Sequence, residues 1–361
     1  MHASSKYGRN SSSSNCIVRR EGVTLCCPLK KIQRGELTIY KTILLLDNGQ
    51  QRLQKVNLDS TDLKILNLLA RNGRLSYRSI GLTIGMTTKS VKSRVDRMLA
   101  AKVIERFLAK VNPSVVGYKT TYALALRKNN LNQELLERIN LVGDIQHQFE
   151  VMGGAIGFDI AVKEGTEDKI ELLLSSLKPA LLGLIRSRNR EVSQKLSETD
   201  FTVIKQLIKN PRMEIGDIAA ATTISPKTVR RRLDKMVRNR ILEFSIQPNP
   251  DAMKGYIVFF LDVKVKDRDH HQKMLQKIYE ELDDHFMILS SDMSNQEDSI
   301  GLLLASEDAI GIESIRSRIE SFDVVKQANA FLPIRLSSPQ EWILKAIDKK
   351  LAESSWKEKE L

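Results

Sequence analysis

Cysteine is scarce in this chain of 361 residues: Cys16, Cys26 and Cys27 are all there is, and each falls near the start. So few thiols in so long a chain exclude a disulfide framework, and the adjacent Cys26 and Cys27 have no metal-ligand spacing and no companion histidine cluster. Reduced thiols in a cytoplasmic protein are the expectation. Aromatic residues are only 5% of the chain, too few for a stacking platform on single-stranded nucleic acid. No apolar run reaches about 18 residues, the length a membrane-spanning helix needs. The polar, Ser-rich start MHASSKYGRNSSSSN lacks the apolar core of a secretory signal. P-loop, Gly-x-Ser-x-Gly, HExxH and CxxC motifs are missing, so enzyme chemistry, a cofactor and a metal site are not expected.

What is present is positive charge and a repeat. Lys and Arg number 57 against 44 Asp and Glu, a net charge of +13. That balance points to a polyanionic partner, nucleic acid before an anionic membrane surface. Hydrophobic residues at 42% and charged residues at 28% are an ordinary globular composition.

The repeat is read by sliding the chain on itself. LDSTDLKILNLLARNGRL (residues 58–75) faces LSETDFTVIKQLIKNPRM (196–213), and the match continues through MTTKSVKSRVDRMLAAK against ISPKTVRRRLDKMVRNR. It ends on Gly117 and Tyr118 against Gly255 and Tyr256, at a constant shift of 138 residues. A register that holds through loops as well as helices indicates duplication.

Within each copy the pattern is three helices. Asp59 or Ser60 offers the first N-cap and Asn72-Gly73 a stop. Gly85 turns the chain, and Thr87 or Thr88 caps the last helix. Three helices with a tight turn before the third is a helix-turn-helix, and the strand-like stretch from Leu108 to Val111 suggests the winged form. In the third helix Val91, Val95 and Met98 fall on one stripe, as do Val229, Leu233 and Met236 in the second copy. The polar face then carries Thr88, Lys89, Ser90, Lys92, Ser93 and Arg97, and in the second copy Lys227, Thr228, Arg230, Arg231 and Lys235. A dry face backing a Lys/Arg/Ser/Thr face suits the major groove of double-stranded DNA.

Each helical module is followed by strand, helix, strand, strand, helix and strand, the ferredoxin-like order. TTYALALRK, NQELLERINL, IQHQFEVMG, FDIAVKEG and the amphipathic EDKIELLLSSLKPALL carry it in the first copy. IVFFLDVKVKD, HQKMLQKIYEEL, HFMILSSD, SIGLLLASE, IESIRSRIESF and VVKQANAFL carry it in the second. The expected fold is α+β: an N-terminal extension over 1–56 with a candidate hairpin between Ile17 and Leu46; a helix-turn-helix over 57–117; a ferredoxin-like module over 118–195; a second helix-turn-helix over 196–255; a second ferredoxin-like module over 256–336; and a helix over 337–361 with Trp342, Leu344, Ile347 and Leu351 as its packing side.

LDSTDLKILNLLARNGRLSYRSIG and VKSRVDRMLAAKVIERFLAKVNPSVVGY resemble the start of leucine-responsive and asparagine-synthase-type (Lrp/AsnC) transcription regulators. The resemblance implies sequence-specific DNA binding, pairing through the sheet domains and an amino-acid effector. The family's effector site uses a Gly-rich turn and an Asp between two strands; Gly153, Gly154, Gly157 and Asp159 resemble it. The corresponding stretch of the second half, SSDMSNQEDSIGLLL, has no such glycines. Family members have one copy per chain, so this chain is similar to a covalently fused dimer. Siroheme decarboxylases resemble the same plan, and His147 lies near where such enzymes carry a histidine, but their surrounding aromatic, Arg- and Asn-rich segment is missing. A scaffold that no longer touches DNA is a third alternative. The expected partners are therefore double-stranded DNA, an amino-acid effector and a second copy, with no membrane.

Overall fold

The computed structural model describes residues 56–357 except 131, 164, 267–268, 283–284, 286, 290–293 and 296–298, and two short strands before them. The chain divides into two compact units, Met1–Arg52 and Leu53–Leu361. In the first, Arg19–Arg20 (β1) pairs antiparallel with Val23–Thr24 (β2). The remainder of the candidate Ile17–Leu46 hairpin lies outside the described residues.

The second unit opens with Val56–Asn57 (β3) and three helices: Ser60–Arg71 (α1), Tyr77–Ile84 (α2) and Thr88–Ala100 (α3). Asp59 is the first N-cap. Its carboxylate accepts from the Asp62 N–H at 2.8 Å while the Asp62 carboxylate accepts from the Asp59 N–H at 3.2 Å, a reciprocal capping box. Gly85 ends α2 at φ 71°, and Thr87 caps α3 by accepting from Ser90 N–H. Val91, Val95 and Met98 are fully buried, as the 3.6 period requires.

The second copy repeats this with Glu198–Lys209 (α6), Ile215–Thr222 (α7) and Pro226–Arg238 (α8). Its capping box is Ser197 with Asp200, and Ser225 caps α8. Thr223 ends α7 at φ 56°, where the first copy has Gly85.

Tyr118–Arg127 (β5), Gln133–Val142 (α4), Gly143–Val151 (β6), Ala155–Lys163 (β7), Glu167–Leu177 (α5) and Leu181–Asn189 (β8) form the first ferredoxin-like module. Its four strands lie in the order β8-β5-β7-β6, all antiparallel. The amphipathic pattern read through Leu182 stops at Leu177: Pro179 cannot continue a helix, and LLGLI becomes the fourth strand.

Ile257–Val265 (β11), Asp269–Glu281 (α9), Met287–Leu289 (β12), Ser299–Ser306 (β14), Ala309–Glu320 (α10) and Val325–Phe331 (β15) form the second module, with strand order β12-β14-β11-β15. Two strands of this half extend the first sheet. Ser294–Asn295 (β13) pairs with β8, and Pro333–Ser337 (β16) pairs with β6. The chain closes on Glu341–Lys357 (α11), which buries Ile343 and Ile347 and half-buries Trp342, Leu344 and Leu351.

The halves are joined by the strands that follow their third helices. Ile104–Val111 (β4) pairs antiparallel with Leu242–Pro248 (β9). Each strand that reads as a wing thus finds its neighbour in the other half. Phe107 faces Ile246 and Leu108 faces Ser245. Since 107 and 108 repeat as 245 and 246, these two pairs exchange under a twofold axis that passes between them. The bulge at Glu105 breaks this symmetry at one end.

Packing crosses over in the same way. The first helical module shares its core (Ile65, Leu66, Leu69, Val95, Met98) with Ile246, Ala252 and Met253 and with Val258, Leu303 and Ala305 of the second sheet. β3 pairs with Met253–Lys254 (β10) beside it. The second helical module (Phe201, Ile204, Leu207, Leu233, Met236) shares its core with Ala109, Val111, Val116, Tyr118 and Ala161 of the first half, and with α11. Each helical head is seated on the other half's body.

Candidate nucleic-acid interface

The candidate DNA contacts all lie on α3 and α8, opposite their buried stripes. Thr88, Lys89, Lys92, Ser93 and Arg97 are exposed on α3, with Ser90 half-buried; Lys227, Arg230, Arg231 and Lys235 are exposed on α8, with Thr228 half-buried. Local chemistry sorts them. The Ser90 and Thr228 hydroxyls sit within 2.8 Å and 2.9 Å of the capping Thr87 and Ser225 hydroxyls, so part of their bonding capacity serves the helix start. Lys92 Nζ reaches Asp96 one turn on at 2.5 Å; both groups are largely exposed, so the pair is weak and its lysine can exchange it for a phosphate. Arg97 is held differently. Its Nη2 lies 2.6 Å from the fully buried Asp62 carboxylate, so one edge of the guanidinium is committed to a structural bond and only its remaining N–H donors are left for DNA. Lys89 and, on α8, Lys227, Arg230, Arg231 and Lys235 have no ion-pair partner among the described residues, and α8 therefore presents the freer cationic face.

Two arginine pairs that the outward-face pattern does not include brace the heads, one pair within each head and the other between them. Arg94 donates to Asp59 and to Asp62 at 2.8 Å, and its repeat Arg232 donates to Asp200 and Ser197 at 2.9 Å. Each fixes a third helix to the start of its first. Burial works against ionisation of Asp200, but the Ser197 N–H and the Arg232 guanidinium outweigh it and hold the carboxyl below its ordinary 3.8. The second pair is Arg74 and its repeat Arg212. Arg74 donates to Pro211 O at 2.7 Å and Met213 O at 2.9 Å; Arg212 donates to Gly73 O at 2.5 Å and Leu75 O at 3.1 Å. The sequence signal for both pairs was identity of an arginine at the 138-residue shift, away from the outward face.

One side of the axis is closed and the other open. Gly73 N–H donates to Phe244 O, and Ser245 Oγ donates to Ala70 O. Gly73 has no room for a side chain there, since a Cβ would stand 2.6 Å from Ser245 O. The repeats of Gly73 and Ser245 are Pro211, which has no N–H, and Phe107, which has no hydroxyl. Neither bond can form, and a cavity of about 370 Å³ remains between Phe107, Leu108, Ile208, Pro211, Arg212 and Leu344.

The residues expected for an effector lie along the β6–β7 turn and the strand that follows it. Gly153 and Gly154 adopt φ 92° and 81° in the β6–β7 turn, with open space where a Cβ would be. Gly157 lies under the Phe149 ring in β7. Asp159 faces His147 across the β6–β7 ladder, with Oδ2 3.1 Å from Nδ1. His147 is thus accounted for as a strand neighbour of a carboxylate. Among the described residues no group of His, Cys, Asp and Glu could hold a metal ion, and no helix is long and apolar enough to cross a membrane.

Residues 58–99 match the AsnC-type helix-turn-helix domain and residues 196–243 match a winged helix-turn-helix DNA-binding domain. An HTH-type transcriptional regulator, Ptr1, of Methanocaldococcus jannaschii is 30% identical over 123 residues, covering 34% of this chain and 83% of the relative. This chain belongs to the Lrp/AsnC family. The leucine-responsive regulatory protein of Haemophilus influenzae is 29% identical over 154 residues, 41% of this chain and 91% of that one. Each of these relatives thus matches less than half of this chain. A solved siroheme decarboxylase, NirDL, superposes over 82% of this chain and 99% of its own at 13% identity and a TM-score of 0.42. A likeness of that size says nothing of the reaction.

Proposed function

We propose that this chain regulates transcription as a single-chain counterpart of an Lrp/AsnC dimer, gripping one double-stranded DNA site with both third helices. The observation that carries the proposal is the local twofold axis between β4 and β9, which relates two heads of opposite sequence halves. A twofold-related pair of recognition helices fits half-sites about one helical turn apart, roughly 34 Å. Thr88, Lys89, Ser90, Lys92 and Ser93 serve one half-site and Lys227, Thr228, Arg230, Arg231 and Lys235 the other. Arg97 serves DNA through the N–H donors that its bond to Asp62 leaves over. The test is gel-shift affinity of Arg230→Ala/Arg231→Ala on a site selected from random duplexes; a folded variant with undiminished affinity removes α8 from the interface.

Two finer parts belong to the same proposal. An amino-acid effector is assigned to the β6–β7 turn at Gly153 and Gly154 and the strand after it, with Gly157 and with Asp159 beside His147. Thermal stabilisation by an amino-acid panel that disappears in Asp159→Ala supports it. Self-association is assigned to the first sheet, whose strand β8 leaves Leu182 and Leu184 about half exposed; sedimentation of Leu182→Ser/Leu184→Ser against the natural chain checks it.

A further inference from the structure

We infer that Arg74 and Arg212 form a reciprocal clasp that sets the distance between the two recognition helices, and with it the one half-site spacing this chain accepts. The inference rests on the DNA-binding proposal, and adds to it the residues that determine spacing.

Three observations carry it. First, the clasp is reciprocal. Each arginine comes from the loop after the first helix of its own head and enters the same loop of the other head. Its two terminal nitrogens take two carbonyls two residues apart: Pro211 and Met213 for Arg74, Gly73 and Leu75 for Arg212. The four acceptors are themselves equivalent under the 138-residue shift. Second, each guanidinium lies over aromatic rings of the other half. Arg74 stands 5.2 Å from the Phe244 centroid, and Arg212 stands 4.9 Å from both Tyr77 and Phe107. Carbonyls and ring faces offset the mutual repulsion of two like charges brought near the axis. Third, the acceptor loops run directly into α2 and α7, the helices that lead by one turn of chain into those with the DNA face. Leu75 precedes Ser76, the cap of α2, and Met213 precedes Glu214, the N-cap residue of α7. The clasp is therefore a head-to-head connection in addition to the β4–β9 ladder.

Geometry makes it a spacing device. A planar fork that satisfies two fixed carbonyls allows little rotation, whereas a lysine offers a point charge on a flexible stem. DNA half-sites moved by one or two base pairs both separate and rotate about the duplex axis. Heads held by two forks cannot follow that movement, and heads released from them can.

The test uses the full chain with Arg74→Lys/Arg212→Lys, which keeps the net charge, and the two single variants. Binding is measured on the selected duplex, on derivatives with one or two base pairs inserted between the half-sites, and on a single half-site. The natural chain should lose at least about tenfold in affinity on insertion. The double variant should bind the single half-site within about twofold of the natural chain, bind the original spacing about tenfold more weakly, and show a flattened dependence on spacing. Spacing profiles that superimpose for the natural chain and the double variant overturn the inference. A second readout needs no DNA. Spin labels on Asp96→Cys and Asp234→Cys, with Cys16, Cys26 and Cys27 replaced by Ser, report the separation of the third helices. A single narrow distance in the natural background that broadens on Arg→Lys supports the clasp; an unchanged distribution overturns it. A chain that binds no duplex while its distance distribution still broadens would retain the clasp as the coupling between heads and overturn its role in spacing, because the DNA proposal beneath it had failed.

Discussion

Thr223 and Gly85 occupy the same place in the two copies, and only one of them suits it. A β-branched residue at φ 56° is strained, because its Cβ crowds the following carbonyl. Thr223→Gly should therefore raise stability by about 0.5–1 kcal/mol, after allowing for the extra freedom glycine has in the unfolded chain; urea unfolding measures it, and a loss would show that the Thr223 side chain has an offsetting role. Asp200 makes the opposite case. It closes the capping box with Ser197 and holds Arg232 while being almost wholly buried. Asp200→Asn should cost about 1–3 kcal/mol. Its folded carboxyl titrates below the ordinary 3.8, so the stabilisation is whole above that value and is lost as pH falls through the lower folded one. The difference between natural chain and variant should accordingly be full at neutral pH and shrink as pH falls below 3.8. At this scale the buried stripes (Val91, Val95 and Met98; Val229, Leu233 and Met236) were legible directly, because helical period alone places them. Asp62 with Arg94, and Asp200 with Arg232, were not, because each partner lies a helix away and no periodicity links them.

Among the elements, the third helices carry the proposed DNA contacts and differ in how freely they can make them. On α8, Arg230 and Arg231 are exposed and have no ion pair among the described residues, whereas on α3 Lys92 and Arg97 are tied to Asp96 and Asp62. Removing Arg230 and Arg231 should weaken DNA binding and reduce the magnitude of the salt dependence by about 2, at roughly 0.9 for each phosphate no longer neutralised. Removing Arg97 should instead lower stability more than affinity, since it leaves a buried carboxylate with one guanidinium fewer. Parallel salt titrations and melts of the two variants check both statements. Most elements were legible from apolar period and caps. β8 was not, since LLGLI after an amphipathic helix continues the same hydrophobic run and only Pro179 marks the change. β16 escaped because PIRLS has no run of its own and becomes a strand by pairing with the edge of β6.

Across the whole molecule, duplication was plain in the sequence but its arrangement was not. A constant shift shows that two units exist. It does not show that each head rests on the other half, because that depends on cores built from distant segments, one that gathers Leu66 with Ile246 and another that gathers Leu207 with Ala109. The consequence is a molecule whose two halves cannot be read as separate beads. It has near-twofold symmetry at the β4–β9 ladder and at the arginine clasp, and it departs from that symmetry where Pro211 and Phe107 open a cavity opposite the closed Gly73–Ser245 contact. The two proposed DNA faces differ in the same spirit, TTKSVKSR against SPKTVRRR. The most direct measurement is therefore footprinting of the duplex this chain selects from a random pool, at a known ratio of chains to sites. One chain should protect two unequal half-sites about one helical turn apart, in an imperfect palindrome. Protection of a single half-site by each chain, or of a perfectly symmetric site equally in both halves, would contradict the account.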